Sequence, residues 1–248
     1  MQTEVNLDKK NLDQKVRAAE GGDMGIVVTV DGPAASGKSS LSRELARRMG
    51  WSWVSTGAFY RGLSYAAYRL KFDMADEAGL AELATSDKWQ VRMTEERTEV
   101  YFGNENVTDN INAEEVGSLA SKISHYPLVR KALLGAQRKC QDISQGLVAE
   151  GRDCGTVVFP GAPAKIYLTA RSESRAERRA KEHNASAEAI REAQTQRDLQ
   201  DTTRKAAPLQ IPENALVVDT SELSLNEVVD LVEQHVRKAI PQATSPRS

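Results

Sequence analysis

The sequence predicts an α/β fold in which a parallel, five-stranded sheet is flanked by helices. Three observations lead there. Short β-branched runs, apolar on both faces, recur along the chain, beginning with Ile26-Val27-Val28-Thr29-Val30. Such runs suit strands buried on both sides of a parallel sheet. Each is followed by a loop and a helix-like segment, the alternation of α/β folds. The 248-residue chain, 40% hydrophobic and 27% charged, is also long enough and mixed enough for a real core.

The elements follow in order. After the first run come Gly-rich residues, then Leu41, Leu45 and Met49 at a spacing of four, one face of a helix. Trp51 to Val54 reads as a second strand, and Phe59, Leu63, Ala66 and Leu70 mark the next helix. Trp89, Val91 and Met93 then alternate with Gln90, Arg92 and Thr94, the period of a half-exposed strand. With Thr98 to Phe102 and the Gly103–Asn106 turn, this predicts a small antiparallel excursion that breaks the rhythm over about 75–110. Asn112 with Glu115 forms a capping-box pattern ahead of Val116, Leu119, Ala120 and Ile123. Pro127 opens a helix bearing Leu128, Ala132, Leu133 and Ala136. Leu147–Ala149, Lys165–Leu168 and Ala215–Val218 complete the strand candidates. The last helix starts at Ser224, with Glu227 at the capping-box position, and is expected to bury Leu225, Val228, Val229, Val232 and Val236. Residues 1–24 and 241–248 carry no apolar periodicity and read as a disordered leader and tail.

Composition excludes several classes of function. The 33 Lys+Arg against 35 Asp+Glu give a net charge of −2, so no global field draws the chain to nucleic acid or anionic lipid. Cys140 and Cys154 cannot make a disulfide framework, and His125, His183 and His235 sit on separate segments without metal-ligand spacing. No apolar run approaches a membrane span, and the N-terminus lacks an apolar signal core. The expectation is a cytoplasmic monomer with no nucleic-acid or membrane partner. One local cluster stands out: Arg171, Arg175, Arg178, Arg179, Lys181, Arg191, Arg197, Arg204 and Lys205 crowd into 171–205 with few large apolar residues. It reads either as a solvated helix pair or as a cationic lid over an anionic substrate.

Gly32-Pro33-Ala34-Ala35-Ser36-Gly37-Lys38-Ser39 matches G-x-x-x-x-G-K-[ST], between a predicted strand and a predicted helix, the context this motif requires. Glycines let backbone N–H groups point inward, and these amides with the helix N-terminus cradle phosphate oxygens. The motif is expected to place the Lys38 charge near the β- and γ-phosphates and a Ser39 hydroxyl that can ligate Mg²⁺. The chain is therefore expected to bind a nucleoside triphosphate. Arg61, Arg130, Arg152, Arg197 and Arg204 lie in separate segments, as catalysis between two polyanions needs.

Four segments stand together: Val28 to Ser40, Thr56-Gly57-Ala58-Phe59-Tyr60-Arg61, Glu150-Gly151-Arg152-Asp153-Cys154-Gly155-Thr156-Val157-Val158-Phe159-Pro160, and Arg197-Asp198-Leu199-Gln200-Asp201-Thr202-Thr203-Arg204 followed by Ala207-Pro208-Leu209. They resemble the corresponding segments of the bacterial cytidylate kinases, P-loop nucleoside monophosphate kinases. The likeness runs from about residue 25 to 238. It implies a cytidylate-kinase-like domain over 25–240, with an inserted monophosphate-binding lobe at about 57–140 and an Arg-rich lid at about 172–206. It also implies ATP-dependent phosphorylation of CMP and dCMP, with Mg²⁺ accompanying ATP.

Residue by residue, the resemblance implies that Gly32, Pro33, Ala34, Ala35, Ser36, Gly37, Lys38, Ser39 and Ser40 hold the ATP phosphates. Thr56, Tyr60 and Arg61 would line the monophosphate side, with Arg61 and Arg152 on its phosphate. Ser121, Arg130 and Asp153 would read the base, and Arg197 and Asp201 the sugar. Arg204, with Arg197, would neutralise the transferring phosphoryl. Three positions depart from the family pattern: Thr56 stands for Ser, Glu150 for Asp and Gln200 for Arg. Two other readings remain open at this point, another small P-loop kinase of the shikimate type and a nucleotide-dependent regulatory switch.

Overall fold

The computed structural model describes residues 25–94, 96–183 and 187–241; the side chains of 181–183, 187–190, 192, 193 and 197 lie outside that description. The expected leader, 1–24, and the tail beyond Pro241 also lie outside the described residues.

The predicted sheet forms. Strands β1 (Ile26–Asp31), β2 (Ser52–Ser55), β6 (Gly146–Gly151), β7 (Ala164–Thr169) and β8 (Leu216–Asp219) lie in the order β2-β6-β1-β7-β8. All pairings are parallel. Strand β1 sits at the centre, and its register pairs Asp31 with Gly151. Side chains alternate between the two faces, so the sheet has two cores. Val27, Val54, Leu147 and Ala149 pack on one side, and Val28, Val30, Trp53, Val148 and Ile166 on the other. Truncating a fully buried residue such as Leu147 to Ala would cost ~2–5 kcal/mol.

Helix α1 (Lys38–Met49) follows the phosphate loop, burying Leu41 and Leu45, and ends at Gly50 in the left-handed conformation at φ 66°. Trp51 does not join β2: its N–H donates to Ala46 O, and its ring fills the space against Gly146. The rest of the chain between β2 and β6 is a long excursion. It contains α2 (Gly57–Arg69), α3 (Glu77–Ala84), α4 (Glu114–Ile123) and α5 (Pro127–Lys139). It also contains the predicted antiparallel sheet, β3 (Trp89–Met93), β4 (Thr98–Phe102) and β5 (Glu105–Asn106). Trp89 is buried on α2 where Gly62 leaves no room for a Cβ, while Gln90 and Arg92 face outward, as the period of two requires.

Two helix faces differ from expectation. In α5 the buried residues are Val129, Leu133 and Gln137, and Leu128 and Ala136 are exposed. The face is turned by one position, which buries Val129 and Leu133 completely and lets Gln137 reach inward to donate to Thr56 O at 3.3 Å. The Asn112–Glu115 capping box does not form: Ala113 is the N-cap of α4, and Asn112 donates instead to Thr108 O. The box at the start of α8 (Leu225–Ala239) does form. Ser224 Oγ accepts from Glu227 N while Glu227 accepts from Ser224 N, a device worth ~1 kcal/mol. Val228, Val229, Val232 and Val236 are buried as expected, but Leu225, in the first turn, is exposed.

The cationic segment is a helix pair, α6 (Ser172–His183) and α7 (Ala187–Thr203). Among the described residues no helix is long and apolar enough to cross a membrane.

Candidate active site

Strand β1 delivers the chain to the phosphate loop. Gly32 and Gly37 take φ values of 148° and 89°, open to glycine without strain, and Ala35 sits at 57°. A Cβ on Gly32 would stand 2.2 Å from Leu168 O, so only glycine fits there. Ser36 Oγ donates to Pro33 O at 3.0 Å and Lys38 Nζ to the same carbonyl at 2.5 Å. Burial, reinforced by the nearby Arg152 guanidinium, pulls Lys38 down to about 7. Ser39 Oγ donates to Glu150 Oε1 and Oε2 at 2.8 and 3.0 Å.

Beside the loop lies a cavity of about 590 Å³. Ala34, Ala35, Gly37, Lys38, Ser39 and Ser40 form one wall. Thr56, Tyr60, Arg61, Ser121, Glu150, Arg152, Asp153, Asp201 and Arg204 form the rest, together with Arg97, Asp109 and Asn112 from the antiparallel excursion. Gly32, Pro33 and Ser36 stand behind the wall in the same loop. Arg130 does not line the cavity but backs it, paired with Asp153 and over the Tyr60 ring at 5.7 Å. The Arg197 side chain lies outside the described residues.

The cavity's charges are held by one another. Arg152 donates to Asp201 Oδ2 at 2.6 Å and to Gly32 O at 2.8 Å. Burial works against its charge, but Asp201, together with Asp198 and Glu150, outweighs that and pushes the guanidinium up. Asp153 pairs with Arg130, and Arg204 Nη2 stands 3.6 Å from its other oxygen. Arg204 is buried, which lowers its pKa, and its Nη2 has no hydrogen-bond acceptor. A buried cationic donor without an acceptor is suited to an incoming anion. Thr56 differs: its hydroxyl donates to Glu150 O at 2.9 Å and touches Cys154 Sγ, so it braces β2 against β6 from the cavity edge. Arg61 donates to Ile111 O at 2.8 Å.

The helix pair closes one side. Arg175 donates to Asp198 at 2.6 Å and to Ala34 O at 3.3 Å, tying α6 to α7 and to the phosphate loop. Arg178 bonds the Thr220 hydroxyl, and Arg179 pairs with Glu114 on α4 at 2.7 Å. Arg175, Arg178 and Arg179, crowded in the sequence, therefore have separate partners. Gln200, where the family pattern has Arg, accepts from Ser121 Oγ at 2.8 Å. Sequence reasoning missed Arg175 and Arg179 as individuals, because their partners lie on other segments.

Comparison with known proteins fits this geometry. The Cytidylate kinase family model matches residues 28–238. A cytidylate kinase of Bdellovibrio bacteriovorus is 63% identical over 217 residues, covering 88% of this chain and 100% of that protein. Cytidylate kinases of Shewanella loihica and Mycobacterium leprae are 39% and 41% identical, covering 87% and 84% of this chain and 96% of each relative. A phosphate loop facing an arginine-lined cavity, inside a match that takes in the parallel sheet from Val28 onward, means that this chain belongs to the cytidylate kinase family.

Proposed function

We propose that this chain transfers the γ-phosphoryl group of ATP to CMP and dCMP, giving CDP and dCDP. The observation that carries the reading is the single cavity bounded by the phosphate loop and by Arg152, Asp153 and Arg204. A loop that grips a triphosphate and cations that receive a second anion share one space, as transfer between two polyanions needs.

In this reading Gly32 to Ser40 hold the ATP phosphates through backbone amides, and Lys38 leaves Pro33 O to meet the β- and γ-oxygens. Arg61 and Arg152 hold the acceptor phosphate beside Thr56 and Tyr60. One of its oxygens attacks the γ-phosphorus in line, the bond to the β,γ-bridging oxygen breaks, and ADP leaves. Arg204, with Arg197, neutralises charge on the moving group. Asp153 accepts from the cytosine amino group, while Arg130 and Ser121 donate to its acceptors; Asp201 and Arg197 meet the sugar. Residues 57–140 serve as the monophosphate-binding lobe and 172–206 as the lid.

Mg²⁺ fits the residues present. It takes hard oxygen ligands, and the Ser39 hydroxyl and Glu150 carboxylate stand together at the phosphate end. When bound, the ion would supply charge neutralisation of the phosphate oxygens. The reading is tested by incubating the full chain with ATP and CMP and following both products. Equal amounts of CDP and ADP support it; ATP binding without CDP contradicts it.

A further inference from the structure

We propose that Asp31 is a positioning residue whose carboxylate fixes the Arg152–Asp153 segment against the phosphate loop. The inference rests on the roles proposed above for Arg152 and Asp153.

Asp31 ends β1, directly before Gly32, and is completely buried. Its partner in the parallel ladder is Gly151, the last residue of β6. The chain then passes through Arg152 and Asp153 into a π-helical turn, Cys154–Val158. The first two amides of that turn have no acceptor within it, and Asp31 supplies both. Its Oδ1 accepts from Cys154 N at 2.8 Å and its Oδ2 from Gly155 N at 2.7 Å. Buried amides left unpaired are costly, so this carboxylate fixes where the turn begins.

The packing leaves little freedom. A Cβ on Gly155 would meet Thr29 Oγ1 at 2.8 Å and Asp31 Oδ2 at 3.2 Å, so the bare backbone of residue 155 is what lets the turn reach the carboxylate. A second link returns the other way, from Arg152 Nη1 to Gly32 O at 2.8 Å. Asp31 holds the segment by its C-terminal side, and Arg152 holds it to the residue after Asp31. The Arg152 guanidinium and the Asp153 carboxylate are thereby registered on the loop that holds the donor. A misplacement of about 1 Å in such a register costs up to ~100-fold in rate.

The test is Asp31→Asn in the full chain. Asparagine keeps one acceptor and turns an NH₂ toward a second N–H donor. KM for CMP is expected to rise and kcat to fall, each by ~10-fold, while the Kd of a non-hydrolysable ATP analogue stays within about threefold. On an Arg152→Lys background the same change is expected to cost much less than it does alone, since both act on one segment. CMP kinetics within about threefold of the parent, with only Tm lowered, would overturn the inference, as would lost ATP affinity with KM for CMP unmoved. Should Asp31→Asn not fold, Gly155→Ala crowds the turn against Thr29 Oγ1, Pro212 Cγ and Asp31 Oδ2, at 2.8, 2.9 and 3.2 Å, without removing the carboxylate, and is expected to move the CMP parameters in the same direction. Unmoved parameters there overturn the inference as well. An unmodified chain that fails to phosphorylate CMP sinks the proposed function and this inference with it; a normal parent with an unaffected Asp31→Asn sinks this inference alone.

Discussion

The Ser39 hydroxyl donates to both carboxylate oxygens of Glu150, at 2.8 and 3.0 Å, across 111 positions of sequence. The parallel pairing of β1 with β6 brings this about, because the phosphate loop leaves β1 at the same end where Glu150, next to the last residue of β6, stands. The pair also lies at the N-terminal turn of α1, where the helix dipole favours an anion. Glu150→Gln keeps an acceptor for Ser39 but loses the charge. We expect a loss of ~10-fold or more in turnover at low Mg²⁺, eased by adding Mg²⁺. Turnover within about twofold of the parent at every Mg²⁺ concentration would remove Glu150 from the ion's surroundings.

Lys38→Met is expected to separate activity from stability. Losing a preorganised charge at the phosphates costs ~3 kcal/mol, or ~100-fold in kcat. Stability should move the other way. The folded pKa of about 7 lies below the unfolded value of ~10.4, so the unfolded chain binds more protons between those limits. Stability therefore rises with pH across that window, and the full cost of burying the charge is present below it. The variant should melt above the parent at pH 6, and the difference should shrink toward pH 10. A lower Tm for the variant at pH 6 would contradict this.

Asp153→Asn tests base choice. A carboxylate facing the cytosine amino group would face a carbonyl in uracil, with no proton between the two oxygens. The variant's amide can donate to that carbonyl, so CMP efficiency should fall and the CMP:UMP ratio of kcat/KM should narrow by ~10-fold or more. If Asp153 serves only to hold Arg130 and Arg204, both substrates lose equally and the ratio stays where it was.

The phosphate loop and the strands were legible because their signals are local: glycine spacing, and apolar runs without a polar face. Trp89, Val91 and Met93 likewise carried their own period. What could not be read were partners distant in sequence. Gln137 looks like a surface residue until Thr56 O, 81 positions away, supplies its acceptor. The Asn112 box failed because Thr108 O, one turn back, competed for its side chain. Crowding of arginines in 171–205 left a solvated helix pair and a cationic lid both open, because the partners that Asp198, Thr220 and Glu114 provide for Arg175, Arg178 and Arg179 lie at other positions in the sequence.

Those partners change what is expected of the lid. Ser121–Gln200 and Arg179–Glu114 link α7 and α6 to α4 without any nucleotide. Closure on both nucleotides should exchange them for phosphate and base contacts that hold the helices more firmly. Amide hydrogen exchange in 172–183 and 187–203 should therefore slow when ATP analogue and CMP are bound together. Equal exchange with and without the two ligands would mean that the helix pair is a fixed wall.

The most direct test of the account is a side-by-side measurement of initial rates with ATP and each of CMP, dCMP, UMP, AMP and shikimate. If the cavity is a phosphoryl-transfer site read by Asp153, CMP and dCMP are the fastest acceptors, UMP trails them by ~10-fold or more, and AMP and shikimate stay near background. Fastest turnover with AMP, UMP or shikimate, or no turnover with any of the five, would contradict it.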